Sequence, residues 1–238
     1  MPCLITKREE WTTRLLVEHH SSNYSYFLTL TYSDENLCWG YDSPTLSLKD
    51  LQNFIKRLRK SINFKIRYYG VGEYGSHTDR PHYHVIVFSP KALSVEQFKK
   101  AWTIDSNFLG NLMVLPVSIQ ALRYVAKNHL INDKTVAGRT SPFSVMSRRP
   151  GIGNQYVVEK FIKWHQDDLD RYFLVIDGQK RPLPKYLQKR VYSSDQRIAY
   201  RQKLLSEQLP DTIQSIRGYD NYLQSLTRNE LMNKKSKL

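Results

Sequence analysis

Cysteine is nearly absent, with Cys3 and Cys38 the only two in 238 residues. That excludes a disulfide framework and a cysteine-built zinc site. Long apolar runs are missing as well, and nothing approaches the ~18 residues that a membrane-spanning helix needs. The first ten residues are polar and lack the apolar centre of a signal peptide, so a cytoplasmic location and no membrane partner are expected. There is no internal repeat and no low-complexity segment. Acidic residues are in short supply, 22 against 36 Lys and Arg, for a net charge of +14. Set among those cations are 16 tyrosines. Cations for phosphates and aromatic faces for unstacked bases suit a nucleic-acid partner. A nonspecific basic surface, or attraction to an anionic membrane, is the competing reading.

The chain is long enough for one large domain with an appendage. A helix is predicted over residues 9–19, ended by the run Ser21–Ser25. Tyr26-Phe27-Leu28-Thr29-Leu30-Thr31-Tyr32 is rich in β-branched and aromatic residues and reads as a strand. Ser47 can cap a helix carrying Leu48, Leu51, Phe54, Ile55 and Leu58 at helical spacing. The basic run Lys56–Lys60 on that helix is a solvated face that can also line a nucleic-acid path. Strands are predicted over 65–73 and 82–88, joined by a polar loop. Ser94-Val95-Glu96-Gln97 is a capping box opening a helix to Trp102. A short strand over 112–117 precedes a helix over 118–130.

This order predicts an α+β fold, an antiparallel central sheet with helices packed on one face. Beyond residue 140 the composition shifts. Residues 143–153 read as a basic loop containing Arg148, Arg149 and Pro150, and 156–170 as a helix. A small hairpin turns at Asp177-Gly178 between 172–177 and a strand from Pro184 onward. The expected division is a core over 1–140, a basic loop and hairpin over 141–192, and a mainly helical, basic extension over 193–238.

Within that frame, His82-Tyr83-His84 puts two imidazoles on one face of a strand while Val85 and Val87 point the other way. Glu73 ends the preceding strand and can reach them around the loop. Two imidazoles and a carboxylate suit Mg or Mn with positions left for water and phosphate. The competing readings are exposed sheet histidines, and a Glu73 engaged only with Arg80. Arg80 itself would hold positive charge at the mouth of the site. On the last helix, Ile119, Leu122, Ala126 and Leu130 form the apolar stripe, and Tyr124 falls off it with Lys127 three residues on. Such a tyrosine is either a nucleophile or one more surface tyrosine. Thr29 and Thr31 share a face of the first strand and read most cheaply as β-formers. His19, His20, His77, His129 and His165 read as surface or loop residues.

Taken in order, Phe27-Leu28-Thr29-Leu30-Thr31-Tyr32, Gly72-Glu73-Tyr74-Gly75, Arg80-Pro81-His82-Tyr83-His84 and Arg123-Tyr124-Val125-Ala126-Lys127 resemble the three-motif signature of the HUH replication-initiation endonucleases. More narrowly, with Phe143–Gly153 included, the chain resembles the initiators of small single-stranded DNA bacteriophages of the gokushovirus branch of the microviruses. The resemblance covers about residues 10–190 and implies an HUH/RRM-like palm. It implies rolling-circle initiation: His82, His84 and Glu73 hold Mg or Mn, and Tyr124 attacks a phosphodiester of single-stranded origin DNA. A 5′-phosphotyrosine and a free 3′-hydroxyl result, and the strand is later rejoined. Lys127 assists the phenolate, and Arg80, Arg123, Arg148 and Arg149 contact DNA. The implied setting is the bacterial cytoplasm, with a host helicase and DNA polymerase as partners. Many phage initiators carry a second tyrosine four residues after the first, and here that position is Asn128, so a second protomer, another tyrosine such as Tyr156, or reuse of Tyr124 would have to serve instead. A relaxase or transposase of the same chemistry, or a noncatalytic single-stranded nucleic-acid binder, are the alternatives. The binder explains the charge and the aromatics but not the order of His, Glu, Tyr and Lys.

Overall fold

The computed structural model describes residues 2–104, 107–128 and 138–208. The chain opens with Pro2–His20 (α1), longer than the predicted 9–19, and then enters Tyr24–Thr31 (β1). Ser21 and Ser22 end α1 by turning their hydroxyls back onto the carbonyls of Val17 and Glu18, at 2.7 Å each. This is the local competition with the backbone that makes serine a helix terminator.

Leu48–Lys60 (α2) starts where its cap predicts, with the Ser47 hydroxyl accepting from the Asp50 N–H at 3.2 Å. Its apolar face, Leu51, Phe54, Ile55 and Leu58, is fully buried. Each side chain of that size contributes about 1.5–3 kcal/mol of transfer free energy. Arg67–Tyr74 (β2) and Pro81–Ser89 (β3) form the expected hairpin. Val95–Ala101 (α3) carries the predicted capping box, complete in both directions between Ser94 and Gln97. A small hairpin missed in the sequence, Thr103–Ile104 (β4) with Asn107–Phe108 (β5), leads to Leu112–Pro116 (β6) and Ile119–Asn128 (α4). The predicted end of α4 at Leu130 lies outside the described residues.

The α+β fold is borne out: a five-stranded, fully antiparallel sheet in the order β6-β1-β3-β2 with a further edge strand, Phe143–Met146 (β7), beside β2. That last strand corrects the reading of residues 143–153 as a loop. Its four residues are too few to show a period, and the Ser147-Arg148-Arg149-Pro150-Gly151 run behind them dominates the local signal. A second correction concerns the layers, because helices cover both faces of the sheet. On one side α2 and α3 pack on Leu28, Leu30, Tyr83, Val85 and Val87. On the other, α1 and α4 pack on Tyr69, Val71, Ile86 and Phe88 through Leu15, Leu16, Leu122, Val125 and Ala126. The strands show why: β2 and β3 are apolar on both sides, a pattern that requires two covers. Gly70 and Gly72 let the first layer sit close, since a Cβ on Gly72 would stand 3.1 Å from Leu46 and 3.0 Å from Phe143.

Past the sheet, Glu159–Gln166 (α5) is shorter than predicted, and the hairpin is Phe173–Ile176 (β8) with Gln179–Pro182 (β9). Asp177 and Gly178 both take positive φ, 51° and 71°, as a two-residue hairpin turn of this kind requires. Pro184 begins Lys185–Val191 (α6) instead of a strand, and Ser194–Gln208 (α7) follows. The predicted extension over 193–238 is described only as far as Gln208. A third, smaller core gathers Val17, Tyr156, Leu174, Leu183, Leu187 and Val191. His165 belongs inside it, with no exposed surface, against the expectation of a surface position. Among the described residues no helix is long and apolar enough to cross a membrane.

Candidate metal and nucleophile site

The register of the sheet builds the site. Thr31, His82 and Glu73 stand in one row across β1, β3 and β2, and Thr29, His84 and Val71 in the next. Directly paired residues share a face, so both imidazoles and the carboxylate emerge together, as the spacing predicted. Tyr83, between the histidines, points to the opposite layer, where its hydroxyl meets the Ser47 N–H at 2.8 Å and the Ser47 carbonyl at 3.0 Å.

All three donors converge on one atom. Glu73 Oε1 lies 3.0 Å from His82 Nε2 and 3.0 Å from His84 Nε2, and it accepts the Tyr124 hydroxyl at 2.7 Å. The ligand-capable atoms of Glu73, His82 and His84 fall within 4.8 Å of one another. The Tyr124 ring stands edge-on to His84, centroids 5.1 Å apart. Tyr124 is 43% exposed, so it is both in contact with the site and open to a substrate.

The electrostatics follow from this convergence. Burial alone would raise the Glu73 carboxyl, but hydrogen bonds from His82, His84 and Tyr124, with the charge of His84, outweigh it and hold the group well below the usual carboxylate range. Burial works against the His82 imidazolium, yet the Glu73 carboxylate and the Arg80 carbonyl overcome it and push its pKa up.

Each imidazole is also gripped from behind. His82 Nδ1 lies 3.1 Å from the Arg80 carbonyl oxygen, and His84 Nδ1 lies 3.1 Å from Thr29 Oγ1. Phe27 stacks on His84, with ring centroids 5.3 Å apart and planes at 12°. With both Nδ1 atoms against oxygen partners, both Nε2 atoms face the shared centre, the arrangement that metal-binding histidines adopt. Two Nε2 atoms and a carboxylate in a half-buried, open position therefore fit a divalent cation that keeps sites for water and phosphate.

The remaining sequence candidates fall as follows. Arg80 does not engage Glu73: its guanidinium binds Asp34 at 2.6 Å and the Tyr32 carbonyl at 2.7 Å, so it ties the end of β1 to the β2–β3 loop. Lys127 is exposed one helical turn beyond Tyr124. Arg123 is exposed beside it, 4.0 Å from Glu9. Arg148 and Arg149 are exposed in the turn after β7. Thr29 and Phe27 were missed as site residues. The signal was the pairing register, which sets Thr29 opposite His84, and no single strand shows it.

The chain is similar to several known viral proteins. Residues 25–129, which contain Glu73, His82, His84 and Tyr124, match the family model described as replication-associated protein ORF2/G2P. The replication-associated protein VP4 of Bdellovibrio phage phiMH2K is 28% identical, over all of this chain and 85% of its own length. The replication-associated protein ORF2 of Spiroplasma virus 4 is 29% identical, over 93% of this chain and 77% of its own. Among solved structures, the hypothetical protein ORF119 of Sulfolobus islandicus rod-shaped virus 1 overlaps 52% of this chain and 97% of its own, at 23% identity and a TM-score of 0.34. The resemblance read from the motifs is borne out: the chain is similar to replication-associated proteins of phages over most or all of its length.

Proposed function

We propose that the protein is a replication initiator that nicks single-stranded origin DNA through Tyr124 and later rejoins it. The observation that carries this reading is the Tyr124 hydroxyl on the same carboxylate oxygen that both imidazoles address. A tyrosine in a purely structural role has no reason to be fed, half-exposed, into a two-histidine, one-carboxylate cluster. The similarity to replication-associated proteins over the whole chain supports the biological setting.

His82, His84 and Glu73 would hold Mg or Mn, which when bound supplies Lewis-acid polarisation of the scissile phosphate. The chain's own groups do the rest. Tyr124 Oη forms a bond to phosphorus as the P–O3′ bond breaks. The phenol proton is released to water and the departing O3′ takes one up from water, so the products are a 5′-phosphotyrosine and a 3′-hydroxyl. A free phenol near pKa 10 is ionised in only about one molecule in a thousand at neutral pH, a deficit of roughly 4 kcal/mol. Lys127, one turn away, is placed to favour the anion and to offset charge on the phosphate. The phosphodiester energy is kept in the tyrosine link, so rejoining by the 3′-hydroxyl needs no nucleotide cofactor. Arg80, Arg123, Arg148 and Arg149 would meet phosphates, and the free 3′-end would pass to a host helicase and polymerase in the cytoplasm. With Asn128 in place of a second tyrosine, one nucleophile per chain serves the cycle.

The test is covalent capture. Incubated with a circular single strand and Mn, the wild-type protein should form a tyrosine–DNA adduct that maps to Tyr124. Tyr124→Phe should form none while binding DNA within a few-fold, and EDTA should abolish the adduct. An adduct formed equally by Tyr124→Phe, or one that survives EDTA, overturns the assignment.

A further inference from the structure

Among the described residues, the face of the sheet that carries the site is only half covered. α1 and α4 lie over β2 and β3, where Tyr69, Val71, Ile86 and Phe88 are packed. Toward the β6 edge the same face stays open. Met113 pairs in register with Thr29, and Leu115 with Phe27, so both side chains stand on the side of the imidazoles. Met113 is 56% exposed and Leu115 45%, and neither joins a core cluster, whereas their neighbours Leu112 and Val114 face the opposite layer and pack there.

This placement runs against normal practice. An edge strand with bare apolar side chains is an association hazard that proteins usually blunt with charge. Here no charge intervenes: β6 reads Leu112-Met113-Val114-Leu115-Pro116. Met113 is also close to the chemistry. The row Met113, Thr29, His84 crosses two strand spacings, about 10 Å in all. That is within the reach of a nucleotide next to one whose phosphate lies at the triad.

We propose that Met113 and Leu115, beside the half-buried Phe27, form an apolar shelf that seats an unpaired base beside the scissile phosphate. The proposal rests on the nicking reading given above and names the part of the substrate that this face takes. A bound strand must leave the triad in two directions, and α1 and α4 close the β2–β3 side. The open side is therefore continuous with the site. A base offers a flat, polarisable face, and the thioether of methionine packs well on such rings. The exposed cations Arg123 and Lys127 stand on the helix that bears Tyr124 and supply charge for the accompanying phosphates. Recognition here would be by stacking and apolar contact, so it would tolerate any base and reject a missing one.

The experiment compares binding of a thymidine oligonucleotide with binding of its abasic counterpart of equal length, in EDTA so that nothing is cleaved. The wild type should prefer the oligonucleotide with bases by about fivefold or more for each seated base. Replacing Met113→Ser and Leu115→Ser together should cut that preference by a similar factor, while the salt dependence, which counts phosphates, stays the same. Met113→Leu, which keeps an apolar face, should retain the preference. Both substitutions are at exposed positions, and matched thermal unfolding curves certify the fold. A preference unchanged in the double variant overturns the proposal. So does a wild type indifferent to bases, the result expected if this edge instead docks a second copy of the chain. Adduct formation by the same proteins with Mn reports separately on Tyr124, so a failed shelf with a normal adduct leaves the nicking reading standing.

Discussion

Thr29→Val isolates what the supporting contacts of the site contribute. The substitution keeps a β-branched side chain of nearly the same volume in β1 and removes one hydroxyl. That hydroxyl stands 3.1 Å from His84 Nδ1, and it is the contact that decides which way round the ring sits. Phe27, stacked on the ring, fixes its plane but not its two-fold orientation. Without the hydroxyl, a ring that is only 9% exposed keeps an unpartnered Nδ1, and turning over relieves that at the cost of taking Nε2 away from Glu73. Loss of such a supporting hydrogen bond lowers metal affinity about 10- to 100-fold, or about 1.4–2.7 kcal/mol. Global stability should fall by only about 1 kcal/mol, the worth of one neutral hydrogen bond. The assay is a Mn titration followed by the electron paramagnetic resonance of the free ion, which needs no DNA and no turnover. Thr29→Ser, which keeps the hydroxyl, should bind as the wild type does. If Thr29→Val binds Mn with wild-type affinity, the hydroxyl does not orient His84 and the account of the ring's support is wrong.

Two further outcomes concern stability. Glu18 has no exposed surface, pairs with Arg67, and accepts from the Gly153 N–H at 2.7 Å and from Gln155 Nε2 at 2.8 Å; Glu18→Ala should therefore cost about 3–5 kcal/mol in urea unfolding, the price of stranding a buried partner, and a loss under 1 kcal/mol would refute that role. His165 is fully buried and its pKa is lowered from 6.5, chiefly by burial, against a raising hydrogen bond to the Arg171 carbonyl and with a smaller lowering effect of the Arg171 charge. The unfolded chain then takes up the proton first, so the stability tied to His165 is whole above about pH 6.5 and is lost as pH falls toward the folded value. His165→Gln should flatten that part of the stability–pH curve, and an unchanged slope would refute it.

The site was legible where its logic runs along the chain. His82 and His84 are two apart on one strand, and Tyr124 lies off the apolar stripe of one helix, so period alone places each. Glu73 was legible because a hairpin loop sets a short path back to the histidines. Thr29 was not, since its value comes from β1 lying beside β3 across 55 residues, and a strand's own sequence does not announce its neighbour. Glu18 and His165 escaped for a related reason. A buried polar residue is identified by partners such as Arg67, Tyr156 and Tyr192, which come from distant segments. The order of the main helices and strands followed from periodicity, while β4, β5 and β7, two to four residues each, were too short for that signal.

Tyr83 holds β3 from the layer opposite the triad, gripping both backbone groups of Ser47, and it shares no core with α1 or α4. The sheet thus divides its two faces: one secures the strand through Tyr83, and the other carries the imidazoles and Glu73. Substitutions at the β6 edge can therefore change the imidazole face while Tyr83 keeps its hold on β3 from the other layer.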